Sequence, residues 1–182
     1  MAMLKRDEII NRLQQPGVAP LDGLDLISAN LSLADLQGTD LSGAKLDYSD
    51  LRETVLSWAK MVDINLGTAD LRGAILNGAD LRNAKMNDAK LDKADLNHAN
   101  LSKADLNGAF MRGVRLGYSN LNGANLSYSD LREANLMGAD LRGADLYGAE
   151  LAGANLKMAK YNRETKWSAG FDPTTWGAIL AA

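Results

Sequence analysis

The chain has 182 residues, 46% of them hydrophobic, and a formal net charge of −3. That supports one domain with a core and implies no strongly charged partner. Cysteine is absent, which excludes thiol catalysis and disulfides but leaves the redox compartment open. No run of eighteen apolar residues reads as a transmembrane helix.

The opening stretch MAMLKRDEIINRLQQPG carries charges where a signal peptide needs an apolar run. No secretion signal is expected, and the cytoplasm is the expected location. Residues 3–15 predict a short amphipathic helix with Ile9, Ile10 and Leu13 on one face, ended by Pro16-Gly17. Such a helix would form a lid on the segment beyond it.

That segment is a repeat of five. From Leu21 to Tyr161, every fifth residue is Leu, Met or, once, Tyr: 25 Leu, then Met61, Met86, Met111 and Tyr161, 29 in-register positions. Two residues earlier sits a small side chain, mostly Ala, as at Ala29, Ala34 and Ala44, with Asp or Asn commonest between them. An unbroken short period means a stacked solenoid. Ala and Leu spaced by two fit a three-residue extended piece with both ends inward, so the other two residues must turn the chain. Gly occupies the second place after Leu at twelve positions, including Gly23, Gly38 and Gly78, as suits a positive φ. The same place holds Glu53, Asn83 and Lys103, so the expectation is that not every corner needs that conformation.

The A(D/N)LxG motif, as in GADLRGADLYGAELAGANL, resembles the pentapeptide-repeat family over residues 21–161. The resemblance implies an all-β solenoid, a right-handed quadrilateral β-helix with four repeats and twenty residues per coil. The central Leu and the preceding Ala would point inward. YSDLRE recurs at 48–53 and 128–133, a whole number of such coils apart, and Arg52, Arg72, Arg112 and Arg132 recur at multiples of twenty. About seven coils at ~4.8 Å each would make a rod roughly 34 Å tall. The whole chain is then one domain, with capping segments at 3–15 and 162–182.

Beyond Tyr161 the segment TKWSAGFDPTTWGAILAA leaves the repeat. Asp172 followed by Pro173 is a helix start, so residues 173–181 are expected to be helical. Trp167, Phe171, Trp176, Ile179 and Leu180 would cover the last coil, whose unpaired edge is otherwise an aggregation template. This tail is similar to those closing many cyanobacterial pentapeptide proteins, which implies that source. The other reading of the tail is a dimer interface, so the chain is expected to be a monomer or a dimer through a terminal cap.

Chemistry is sparse. His98 is the only histidine, with Ser102 near it in sequence, and the expectation is a solvated corner residue rather than a catalytic base. One His and no Cys leave only carboxylates as metal ligands, and carboxylates on a convex wall lack a pocket to raise a pKa. No phosphate-loop or dinucleotide fingerprint is present. The expectations are no catalysis, no cofactor and no metal.

The family's known action on type II topoisomerases, by an acidic rod that mimics DNA, needs a sustained negative field. Sorted onto four faces, the outward charges of residues 22–163 nearly cancel. The face with Asp40, Asp80 and Asp140 has five acids and six bases, and the one with Asp25, Asp47, Asp88, Asp105 and Asp145 totals −3. The face with the Arg52, Arg72, Arg112 and Arg132 strip has seven acids and six bases. The face with Asp35, Asp95, Arg115 and Lys157 has two of each. Direct nucleic-acid binding is not expected.

That last face holds the apolar outliers. Val55 and Ile75 stand where Asp or Asn is usual, Trp58 lies at the next corner with Val62 just past it, and Tyr118 stands farther along the same corner column. Clustered apolar groups that ought to be exposed mark an interaction site. The reading is a non-catalytic protein–protein interaction scaffold with an unidentified protein partner. The alternatives are a DNA-mimic modulator of gyrase and a structural rod assembling end to end. The arginine strip is a second candidate docking surface.

Overall fold

The computed structural model describes residues 6–13 and 25–181. Its hydrogen bonding explains each place in the five-residue motif. The central Leu donates its amide to the next coil, as Leu26 does to Lys45 O at 2.8 Å, and the Asp/Asn place donates to the coil before, as Asp50 does to Ala29 O at 2.9 Å. Ala29 N donates to Leu26 O at 2.9 Å, closing a four-residue turn around the corner. The corner amide joins the next coil, as Ser28 does to Asp47 O at 2.9 Å. Along the described coils the amide after Leu is the place with no backbone acceptor. There the Asp or Asn two residues earlier supplies its Oδ1, as Asp25 does for Ile27 at 3.2 Å and Asn120 for Asn122 at 3.0 Å. The acidic place in the motif is thus an Asx cap, since an uncapped amide forgoes a stabilising bond.

Parallel bridges twenty residues apart, and twenty-one at the last step from Asp145 to Lys166, stack these sides into four walls. One runs Asp25–Lys45–Asn65 and on to Lys166, and the next runs Asn30–Asp50–Asp70 to Glu150. The third runs Asp35–Val55–Ile75 to Asn155, and the fourth runs Asp40–Lys60–Asp80 to Lys160. Inside, the Leu and Met column from Leu31 to Leu146 is fully buried, with the Ala column beside it. Where Ser or Thr replaces Ala, the hydroxyl donates to a backbone carbonyl: Ser49 to Leu46 O at 2.7 Å, Ser129 to Leu126 O at 2.7 Å. A buried polar group is tolerated when it is satisfied in this way.

The corners correct one expectation. Glu53, Asn83 and Lys103 all have positive φ, at 54°, 57° and 59°, and every corner from Ser28 to Met158 does the same. A turn closed from the fourth residue to the first, with the side chains of both ends inward, requires the left-handed third residue of type II. Each L-residue there costs ~1–2 kcal/mol, and the ladder bonds on either side outweigh it.

The ends agree with the sequence reading in part. A helix, α1, spans Arg6–Leu13, with Ile9 buried in the core and Ile10 half-buried against it. Residues 3–5 and 14–24 lie outside the described residues, as do the side chain of Leu13 and the first repeat at Leu21. At the other end, a strand β1 spans Lys160–Tyr161 and a 3-10 helix spans Pro173–Trp176. A second strand, β2, spans Ile179–Leu180 and pairs parallel with β1. Asp172 caps the short helix as expected, accepting from Thr174 N at 3.0 Å. The predicted helix over 173–181 is wrong beyond its first turn. Gly177, at φ 79°, stops it, and the chain turns back to complete the open edge of β1. Trp167 and Phe171 pack on the core, but Ile179 and Leu180 are 50% and 57% exposed. They cover the last coil with backbone bonds, not with side chains.

Candidate functional site

Most walls neutralise themselves locally. In each Asp-Leu-Arg repeat the arginine folds back on its own aspartate as a two-pronged pair. Arg52 donates Nε to Asp50 Oδ1 at 2.8 Å and Nη2 to Oδ2 at 2.7 Å. Arg72–Asp70, Arg82–Asp80, Arg132–Asp130 and Arg142–Asp140 repeat the geometry. Arg112 has Phe110 in place of the acid and reaches Glu133 on the next coil at 2.5 Å. The candidate arginine strip is therefore three satisfied forks, at Arg52, Arg72 and Arg132, and one bond between coils, at Arg112, with its charge already engaged.

These forks have a pH signature. The guanidinium bond is the main influence on Asp50, Asp70, Asp80, Asp130 and Asp140. It holds each carboxyl below its ordinary value against a smaller opposing desolvation. Folded values below the unfolded value of about 3.9 mean a contribution present above that pH and lost as pH falls through the folded values. The melting temperature should be flat from neutral to about pH 5 and fall below about pH 4. Asp70→Asn keeps the Oδ1 cap but loses the fork, and should make the acid limb measurably shallower.

The Asp35 wall is different. Asp95 and Arg115 pair at 3.1 Å across adjacent coils, and the wall's other two charges, Asp35 and Lys157, stand near its opposite ends. Val55 and Ile75 are bridged neighbours. Val55 is half-buried, whereas Ile75 is 38% and Trp58 60% exposed. Tyr118, 52% exposed, stacks on His98 with centroids 5.6 Å apart and planes 7° apart. Of the residues singled out from sequence, Val55, Trp58 and Ile75 lie together, and Tyr118 stands three coils from Trp58 in the same corner column. Val62 belongs to the neighbouring wall. Ser102 also belongs to that wall, where Asn100 caps its amide at 3.1 Å.

Sequence reasoning missed two parts of this surface. His98 belongs to it, as the ring on which Tyr118 stacks. A row of Ser57, Asn77 and Asn97 runs beside the rings. Ser57 Oγ donates to Asn77 Oδ1 at 2.7 Å, and Asn97 Oδ1 accepts from Gly117 N at 2.8 Å. Asn77, Asn97, Gly117 and Met137 line a shallow groove against the His98–Tyr118 stack. The spacing of 58, 98 and 118 by multiples of twenty was the available signal. Among the described residues no group of three or more His, Cys, Asp or Glu could hold a metal ion. None of their helices is long and apolar enough to cross a membrane.

The family model described as pentapeptide repeats matches residues 21–47, 49–88, 87–117 and 119–157. The chain belongs to the pentapeptide-repeat family. Among solved structures, a pentapeptide repeat protein of the Arabidopsis thaliana thylakoid lumen is 28% identical. The match covers 52% of this chain and 66% of that one, with a TM-score of 0.51. QnrB1, a plasmid-mediated fluoroquinolone resistance protein, is 18% identical over 87% of this chain and 90% of its own, with a TM-score of 0.68. At that identity the likeness is one of fold. HetL, involved in heterocyst differentiation regulation in the cyanobacterium Nostoc sp. strain PCC 7120, is 28% identical over 97% of this chain and 93% of its own, with a TM-score of 0.32. No curated protein matches the sequence.

Proposed function

We propose that this pentapeptide-repeat protein is a non-catalytic, cytoplasmic scaffold that binds another protein through the Asp35 wall and its Trp58 corner. A cyanobacterial source, implied by the aromatic tail, is part of this reading. The observation that carries it is the placement of Trp58, Ile75 and Tyr118 in solvent on the wall with the fewest charges. An exposed aromatic beside uncharged neighbours is an anchor in waiting, and Trp is among the commonest anchors. Trp58→Ala should cost ~2 kcal/mol or more of binding while shifting stability by no more than about 0.5 kcal/mol. Affinity capture from the native host, comparing wild type, Trp58→Ala and an Arg82→Ala control on another wall, checks this. Equal capture by all three would remove the wall from consideration, and a large drop in melting temperature would show that Trp58 supports the fold.

Topoisomerase modulation by DNA mimicry is the lesser reading. The fold likeness to QnrB1 favours it, but the Asp–Arg forks quench the field that mimicry requires. The expected result is no inhibition of gyrase supercoiling at micromolar protein. Inhibition that disappears at raised salt would promote this reading. For end-to-end assembly, the favouring feature is the exposure of Ile179 and Leu180.

A further inference from the structure

The groove beside the His98–Tyr118 stack has more hydrogen-bond donors than acceptors. Asn97 Oδ1 accepts from Gly117 N at 2.8 Å, and Asn135 Oδ1 from Met137 N at 3.2 Å and Asn155 Nδ2 at 3.1 Å. Asn77 Oδ1 takes the Ser57 hydroxyl at 2.7 Å. Each carboxamide is thus fixed by its oxygen, while its Nδ2 has no acceptor among the described residues. The Asn77 amide has none there either, since Ile75 brings no oxygen to cap it. The backbone carbonyls are already taken: those of Asn77, Asn97, Gly117 and Met137 accept from the amides of Trp58, Gly78, His98 and Tyr118.

The groove is also neutral. Asp95 gives Oδ1 to Asn97 N at 3.1 Å and Oδ2 to Arg115 at 3.1 Å, so both oxygens and the charge are engaged. An anion would find no free cation among the lining residues, and a cation no free carboxylate. The complementary ligand is therefore uncharged and richer in lone pairs than in donors. A peptide strand fails on that count, because each carbonyl comes with an amide N–H that the occupied carbonyls cannot accept. A sugar satisfies it. Each hydroxyl has two lone pairs for one rotatable O–H, and ring and glycosidic oxygens only accept.

We propose that this groove binds a neutral saccharide, held by the Nδ2 groups of Asn77, Asn97 and Asn135 with its C–H edges along Tyr118 and Met137. The volume, about 510 Å³, lies within the range of small-ligand sites. Tyr118 is a fixed platform, stacked on His98 on one side and set over Gly138, where a Cβ would strike its ring, on the other. A platform already in place costs little ordering on binding. Trp58 stands one coil before Asn77, so the site does not depend on that anchor or on a protein partner.

Nuclear magnetic resonance of the ¹⁵N-labelled full chain, titrated with maltose, cellobiose, lactose and chitobiose, tests this. The side-chain NH₂ pairs of Asn77, Asn97 and Asn135 and the Gly117 amide should shift and saturate with at least one sugar in the millimolar range. Galacturonate, which is charged, should not compete. Asn97→Ala removes one donor and should weaken binding at least ~5-fold. Its fold should survive, because the Asn77 amide already goes uncapped, and its melting curve confirms that. Trp58→Ala should leave sugar affinity unchanged. Silence toward all four sugars at ~50 mM, well above the millimolar range expected, overturns the proposal. So do shifts centred on Trp58, or galacturonate binding as well as the neutral sugars. Capture of a protein through Trp58 by a chain that ignores every sugar upholds the docking reading and overturns this one alone.

Discussion

Leu91→Asp should collapse the middle of the rod. Leu91 is fully buried between Leu71 below and Met111 above, in a column that no solvent reaches. Its amide also holds the next coil through Phe110 O at 2.6 Å. Truncating such a residue to Ala costs ~2–5 kcal/mol, and an unpaired carboxylate adds the burial of a charge or of a proton-bearing polar group. A loss beyond ~5 kcal/mol is expected, comparable with the whole stability of many domains. Thermal melts tracked at the β signal would show either an unfolded chain or two separately melting halves. An unchanged melt would mean that the column yields locally and lets water reach position 91.

Ala94→Phe should be nearly as damaging, for the opposite reason. Ala94 is fully buried between Ala74 and Val114 in the column that sets how closely opposite walls approach. A ring there has no free volume, and overpacking costs ~1–3 kcal/mol or more. The cost recurs in each coil that must bulge to accommodate it. Ala94→Ser is the discriminating partner, because the same place in the motif, on another wall, already holds Ser49 and Ser129 with their hydroxyls bonded to carbonyls three residues back. It should melt within ~0.5 kcal/mol of wild type. Chemical denaturation of both variants checks the pair. Equal losses would mean that polarity, not volume, is what the column refuses.

The inward places were legible in sequence because period and burial are one fact in a solenoid: Leu31 to Leu146 could face nowhere else. The corners were misjudged at Glu53, Asn83 and Lys103 because residue type reports the cheapest conformation, whereas the ladder on either side dictates the one adopted. Asp and Asn were read as solvent-facing polar groups, and the bond they accept from the amide two residues on, as Asp35 Oδ1 does from Gln37 N at 3.1 Å, went unread. That signal was present in the spacing. The end of the tail was not readable locally. Asp172-Pro173 marks where a helix begins, but its length was decided by the unpaired edge at Lys160–Tyr161, which claims Ile179 and Leu180. The candidate surface was half legible. Trp58, Val55 and Ile75 stood out as exceptions to a rule, whereas His98 and the asparagine row gained meaning only once twenty-residue neighbours were stacked.

A side of the rod is five residues and a full circuit is twenty, as the bridges from Asp35 to Val55 to Ile75 show. A single inserted repeat would leave every Leu inward and every turn intact. Yet it would swing the remainder of the rod by a quarter revolution about the long axis. Placed between Trp58 and Tyr118, such an insertion would send the two rings to adjacent edges of the square. Four inserted repeats would bring them back into line, one storey farther apart. Stability and aim are thus written in different units of the same chain, so the direction a residue faces can drift without the core registering any change.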